Sequence, residues 1–170
     1  MADRRTLSAS VQRVQEALAA AGIASLIVER DSAARTSAEA AVLLQCTVGQ
    51  IAKSIVFRAA SGAAVLVIAS GANRVDEGKV AALLGEPVER ADAAFVRAAT
   101  GYAIGGIPPL AHAQLMSTFI DRDLLAYDTI YAAGGTPHAL FAIAPPELVR
   151  VSGGKVSDTK LLTPEIDRGA

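Results

Sequence analysis

Apolar positions recur along this chain with two different periods, and the period changes several times. Val11, Val14 and Leu18 share one helical face, with Ser8 or Ser10 at its start and Gly22 at its end. Ser25 to Glu29 (SLIVE) has the composition of a strand. Thr36 and Glu39 stand at capping-box spacing and predict a helix over 37–44. Thr47 and Gln50 repeat that spacing and open a short turn that runs into Lys53. The runs SIVF from Ser54 and AAVLVIAS from Ala63 flank a Ser61-Gly62 turn, which predicts a hairpin. Asn73 is the expected cap of a helix carrying Val80, Leu83 and Leu84 and ending at Gly85, and Asp92 of one carrying Phe95 and Val96.

Gly101 to Pro109 is too rich in glycine and proline for a regular element. Strands are expected over Leu115 to Ile120, Thr129 to Ala133 and Ala139 to Ile143, and Pro145-Pro146-Glu147 starts a last helix. From Gly153 to Ala170 the chain is a polar tail whose last residues are expected to fray. The strands and helices do not alternate regularly, so the expected fold is a single α+β (mixed α/β) domain, a mixed β-sheet flanked by short helices.

Composition narrows the function. About half of the 170 residues are hydrophobic, enough to bury a core and too many for a disordered chain. The formal net charge of −1 argues against a broad nucleic-acid surface, so any RNA must be met by a local basic patch or held only at an end. The lone Cys46 excludes an intramolecular disulfide, and no Cys/His set has zinc spacing. No cofactor and no metal are expected. The N-terminal MADRRTLSAS lacks the apolar run of a signal peptide, and the apolar stretch from Ala63 to Ala69 is too short to span a membrane. A reducing cytoplasm is the natural setting.

Few residues are placed to do chemistry. Lys53, in QIAKSIVF, stands at the entry of an apolar strand, where a cation needs solvent or a partner. It can set one positive charge against a phosphate or a developing oxyanion, or it is a solvated lysine at a strand end. In TGYAIGGIPPLAH (Thr100 to His112), Gly101, Gly105 and Gly106 let the backbone approach a ligand, and Pro108 and Pro109 stiffen the end of the segment. A tight structural turn is the other reading, and the segment lacks P-loop and dinucleotide spacing. IYAAGG (Ile130 to Gly135) ends a strand in two glycines, as a hairpin turn or a second backbone wall.

His112 and His138 are each open to a solvated or structural role, and His112 can also face a pocket. No serine occupies a nucleophile elbow. Cys46 has the setting of a packed thiol. Asp76, Glu77 and Lys79 have the pattern of a solvated helix face. Asp121 and Asp123 have that of caps or turn residues, with Asp121 also placed to shape a cleft.

QIAKSIVF, ATGYAIGGIPPLAH and IYAAGG, in this order and separation, resemble the YbaK/prolyl-tRNA-synthetase-associated family, from about Thr36 to Leu148. The resemblance implies that Lys53 is needed for deacylation and that the Gly-x-x-x-Pro loop bounded by Gly105 and Pro109 meets the aminoacyl group. It also implies that Gly134 and Gly135 line the same pocket. Gly101, Tyr102, Gly106, Ile107, Pro108, His112 and Ala133 join the expected substrate-binding set. The implied fold is that family's mixed sheet with flanking helices.

The implied reaction is hydrolysis of the ester at the 3′-terminal ribose of an aminoacyl-tRNA. No enzyme nucleophile is implied, in keeping with the missing triad. The resemblance makes a tRNA for proline the expected carrier, the near-neutral charge favours help from a partner such as prolyl-tRNA synthetase or an elongation factor, and no membrane is expected. Ala133 and Leu140 stand where the cysteine-specific branch is expected to carry Ser and Asp. This argues for a more apolar pocket that takes alanine or 2-aminobutyrate, with Ser, Thr or Cys still open. The main rival reading is a binding module that holds a tRNA end or a synthetase without hydrolysing anything, and a weaker one is a generic small-molecule esterase.

Overall fold

The computed structural model describes residues 7–162. Its centre is an eight-stranded mixed sheet. The strands are β1 (Val28–Glu29), β2 (Ile51–Ala59), β3 (Ala64–Ser70), β4 (Val88–Arg90), β5 (Ser117–Asp121), β6 (Ile130–Ala133), β7 (Ala139–Ile143) and β8 (Lys155–Ser157). The helices are α1 (Ala9–Ala20), α2 (Ser37–Leu44), α3 (Glu77–Leu84), α4 (Ala93–Thr100) and α5 (Pro145–Ser152). Across the sheet the order is β1-β7-β6-β2-β3-β5-β8, with β4 added beside β2. The class expected from sequence, a mixed sheet with flanking short helices, is the class observed.

Period-two alternation divides the apolar residues between two faces. Ala52, Val56, Leu66, Ile68, Ala132 and Phe141 pack with Val11, Val14 and Leu18 of α1, Val96 of α4 and Leu148 of α5. On the other face, Phe57, Val65, Val67 and Phe119 meet Val80 of α3, while Ile51 and Leu140 meet Ala40 and Ala41 of α2. Helices therefore cover both faces of the sheet. Among the described residues no helix is long and apolar enough to cross a membrane.

The β2–β3 hairpin forms around Ser61-Gly62, with Gly62 at φ 87°. Thr36 caps α2 through Glu39 N, and Asp92 caps α4 through Phe95 N. Four expectations are corrected. Asn73 does not cap α3; Asp76 does, accepting from Lys79 N, so Asp76 and Lys79 are not simply a solvated face. The Lys79 amine bonds both Asp158 carboxylate oxygens and the Lys160 carbonyl. The SLIVE segment is a strand only at Val28–Glu29, because the Gln15 side chain of α1 takes the Ser25 carbonyl and the Ile27 N–H. The polar tail contributes β8, which pairs in parallel with β5. The expected fraying at the C-terminus lies outside the described residues.

β2 holds the key to the site. Along one edge it pairs with β3 from Ala52 to Arg58 without a break. Along the other, β6 pairs only with Ile51 and Ala52, and β4 only with Phe57 to Ala59. Between them, on this edge, Lys53 to Ile55 pair with no strand among the described residues, and the next carbonyl, that of Val56, accepts from Ala91 N.

Candidate active site

At this break lies a recess of about 370 Å³, within the size range of small-ligand sites. Its floor is one face of the sheet: Ile51, Lys53 and Ile55 of β2, Tyr131 and Ala133 of β6, and Leu140 of β7. Ala34 to Ser37 and Ala40 form one wall, from the start of α2 and the loop before it. Ile104, Gly105 and Ile107 form another, with Pro137 beside them and Arg90 at the end of β4. Ile107 packs into the core on the α1 face, whereas Lys53 shares its face with Ile55 and Phe57. The two meet in one cavity because the sheet is open between β6 and β4.

The Lys53 amine donates to the Asn73 carbonyl at 2.7 Å, so its hydrogen bond runs to the β3–α3 connection and not to the glycine loop. That carbonyl is itself fixed. The Asn73 amide nitrogen bonds Asp121 Oδ2 at 2.9 Å and Asp123 Oδ2 at 2.8 Å. Asp121 is buried at the end of β5 and also accepts from Ser70 N. Burial lowers the Lys53 pKa, the charges of Arg90 and then Arg74 add to that, and the Asp121 charge opposes it. The amine is thus half-desolvated and anchored on one side, with other cations for neighbours.

The glycine loop is a turn closed by Gly106 N to the Ala103 carbonyl, with its third residue, Gly105, in the left-handed region at φ 89°. Gly106 lies against the β6–β7 connection so closely that a Cβ there would stand 2.6 Å from Thr136 Cα. Gly135 N donates to the Gly106 carbonyl at 3.1 Å, which ties the two glycine segments together.

The residues expected from sequence divide into two groups. Lys53, Gly105, Ile107 and Ala133 line the recess. Gly101, Tyr102, Gly106, Pro108, Pro109, His112, Gly134 and Gly135 are not among its lining. Gly101 is the left-handed C-cap of α4. Tyr102 is buried, its hydroxyl donating to the Ala111 carbonyl and its ring beneath the Arg13 guanidinium. His112 Nε2 lies 2.6 Å from the Pro108 carbonyl, and burial pushes the imidazole pKa down while that carbonyl opposes it. Pro108 and Pro109 are buried, Gly134 abuts Ile27, and Gly135 sits on the first turn of α1 at Ser10.

Several lining residues escaped the sequence reading. Arg35 and Arg90 belong to no motif. Ser54, inside QIAKSIVF, is another: its Oγ is buried and has no hydrogen-bond partner among the described residues. Because backbone direction alternates along a strand, its N–H and C=O face the same side as the Val56 carbonyl, toward the break.

Residues 31–151 match the family of the aminoacyl-tRNA editing domain. This chain belongs to that family. Membership carries the family's activity class, deacylation of mischarged aminoacyl-tRNA. The editing domain is 44% identical to the crystal structure of a candidate trans-editing enzyme for prolyl tRNA synthetase, with a TM-score of 0.87 over 92% of this chain and 100% of that one. It is 33% identical to the hypothetical protein APE2540, with a TM-score of 0.82 over 88% of this chain and 99% of that one. The uncharacterized protein YwhH of Bacillus subtilis is 27% identical over 130 residues, 76% of this chain and 83% of its own length. The segment matched by the family contains every residue that lines the recess.

Proposed function

We propose that this editing domain acts in trans to remove a small, wrongly attached amino acid, alanine or 2-aminobutyrate, from a tRNA for proline. The observation that carries this reading is the recess itself: a single half-buried amine and a glycine turn lining one small cavity whose remaining floor is largely apolar. The aminoacyl group enters between Lys53 and Gly105. A water molecule or a hydroxyl of the terminal ribose attacks the ester carbonyl, and the negative charge that develops on the carbonyl oxygen is stabilised by the Lys53 ammonium. The backbone groups of Ser54 and of the loop orient the α-amino group and the carbonyl. A preformed charge in a partly dry site stabilises such an oxyanion more than it would in water.

Ala133 and Leu140 on the recess floor support an apolar side chain over a hydroxyl or thiol. The match to the candidate trans-editing enzyme for prolyl tRNA synthetase supports the carrier. The test is a panel of proline tRNAs charged with alanine, 2-aminobutyrate, serine, threonine, cysteine and proline. Fastest turnover of the alanyl or 2-aminobutyryl ester is the expected result. Binding of the whole panel without turnover would instead make the domain a tRNA-end binding module.

Size selection gives a second prediction. Ala133→Val adds two methyl groups to the floor, and one methylene is worth about 1–3 kcal/mol of discrimination in an apolar pocket. The 2-aminobutyryl ester should lose roughly 10-fold or more in kcat/KM relative to the alanyl ester. Equal losses for the two would place the side chain elsewhere.

A further inference from the structure

The charged side chains that line the recess are Arg35, Lys53 and Arg90, all of one sign, in a chain whose formal net charge is −1. Lys53 is half-buried and committed to the Asn73 carbonyl. The two arginines are different. Both are exposed, and among the described residues neither guanidinium has an ion pair. They come from separate elements, Arg35 from the loop before α2 and Arg90 from the end of β4.

The acids beside Arg35 lie outside this cavity. Glu39, which accepts from the backbone N–H of Arg35, and Asp31 line an adjoining recess with Arg35 and are not part of this lining. Glu89 precedes Arg90 on β4, so its side chain lies on the opposite face. Outside the lining, the charge of Arg74 also acts on Lys53.

An uncharged ester with one α-amino group gives no reason for two unpaired guanidinium groups at the mouth. Phosphodiesters do, because a guanidinium matches phosphate oxygens with paired donors. We propose that Arg35 and Arg90 form a phosphate clamp at the mouth of the recess, holding two backbone phosphates of the single-stranded 3′ end of the RNA. This rests on the deacylase reading above and assigns the site its nucleic-acid contact. The clamp meets the RNA only near its end, so a nearly neutral protein can bind RNA without a basic face. Recognition is then a matter of placing the terminal ribose over Lys53, with little grip on the rest of the molecule.

The salt dependence of binding counts these contacts. Each single-stranded phosphate neutralised contributes a slope of about −0.7 to log K against log salt. A fluorescent, uncharged RNA minihelix ending in CCA is titrated with the full chain at several NaCl concentrations. Wild type should show a slope of about −1.4, a roughly sevenfold loss of affinity between about 50 and 200 mM salt. Arg35→Gln and Arg90→Gln should each bring the slope to about −0.7, and the double variant should be nearly flat. Melting temperature checks that the variants are folded.

In turnover, the variants should raise KM for alanyl-minihelix and shrink the preference for that substrate over alanyl-adenosine, which has no phosphate. A wild-type slope kept by both variants, or an unchanged preference, overturns the clamp. The binding arm needs no hydrolysis, so a protein that turned over no ester would defeat the deacylase reading while the slopes still judged the arginines.

Discussion

Lys53→Ala is expected to lower the single-turnover rate of alanyl-tRNA hydrolysis about a hundred- to a thousand-fold, the usual cost of losing one donor to a developing oxyanion. The loss should appear in kcat more than in KM. Lys53 is half-buried on the floor of the recess, whereas Arg35 and Arg90, the cations proposed to hold the RNA, are exposed. Stability should change little, because removing a half-desolvated cation also removes the cost of burying it. Lys53→Arg should not restore activity. A guanidinium is larger and forked, and the Asn73 carbonyl that fixes the amine accepts from a single point. Turnover at the wild-type rate in Lys53→Ala would take Lys53 out of the chemistry, and an unfolded variant would show itself in thermal melting.

Gly106→Ala is expected to have the second-largest effect. The new Cβ would stand 2.6 Å from Thr136 Cα and 2.8 Å from Thr136 C, both backbone atoms, so no flexible side chain can move aside. The turn carrying Gly105 must separate from the β6–β7 connection, and the bond from Gly135 N to the Gly106 carbonyl goes with it. Overpacking of this kind costs about 1–3 kcal/mol. A chain of this size should lose roughly 2–4 °C in Tm per kcal/mol, so a fall of several degrees is expected together with a loss of deacylation from the displaced wall. Gly85→Ala is the control. That residue has φ 90° and open space where a Cβ would stand, so the substitution suffers the backbone strain alone, and it lies at the C-cap of α3, away from the recess. Equal loss of activity in the two variants would separate the effect from the loop.

Local chemistry made much of this fold legible in the sequence. Thr36 and Glu39 foretold α2, and the apolar run from Ala139 to Ile143 is β7. What was missed depends on distant partners. Three residues of GEPVERAD become β4 only because Phe57 to Ala59 offer a free edge, and the polar KVS becomes β8 only beside β5. Asn73 had the residue type and position of a cap, but Asp121 and Asp123, brought close by the sheet, claim its amide. The site divides the same way. Lys53 and the glycine loop stand out within continuous motifs, and the structure brings both to one recess. Arg35 and Arg90 carry no local signature and join that recess only through the topology.

The interrupted edge of β2 has a thermodynamic consequence. β3 fastens that strand from Ala52 to Arg58, so the gap between β6 and β4 belongs to the pairing of the sheet itself. Occupying it ruptures no existing ladder. On the deacylase reading, a side chain is then selected by whether it fits that gap.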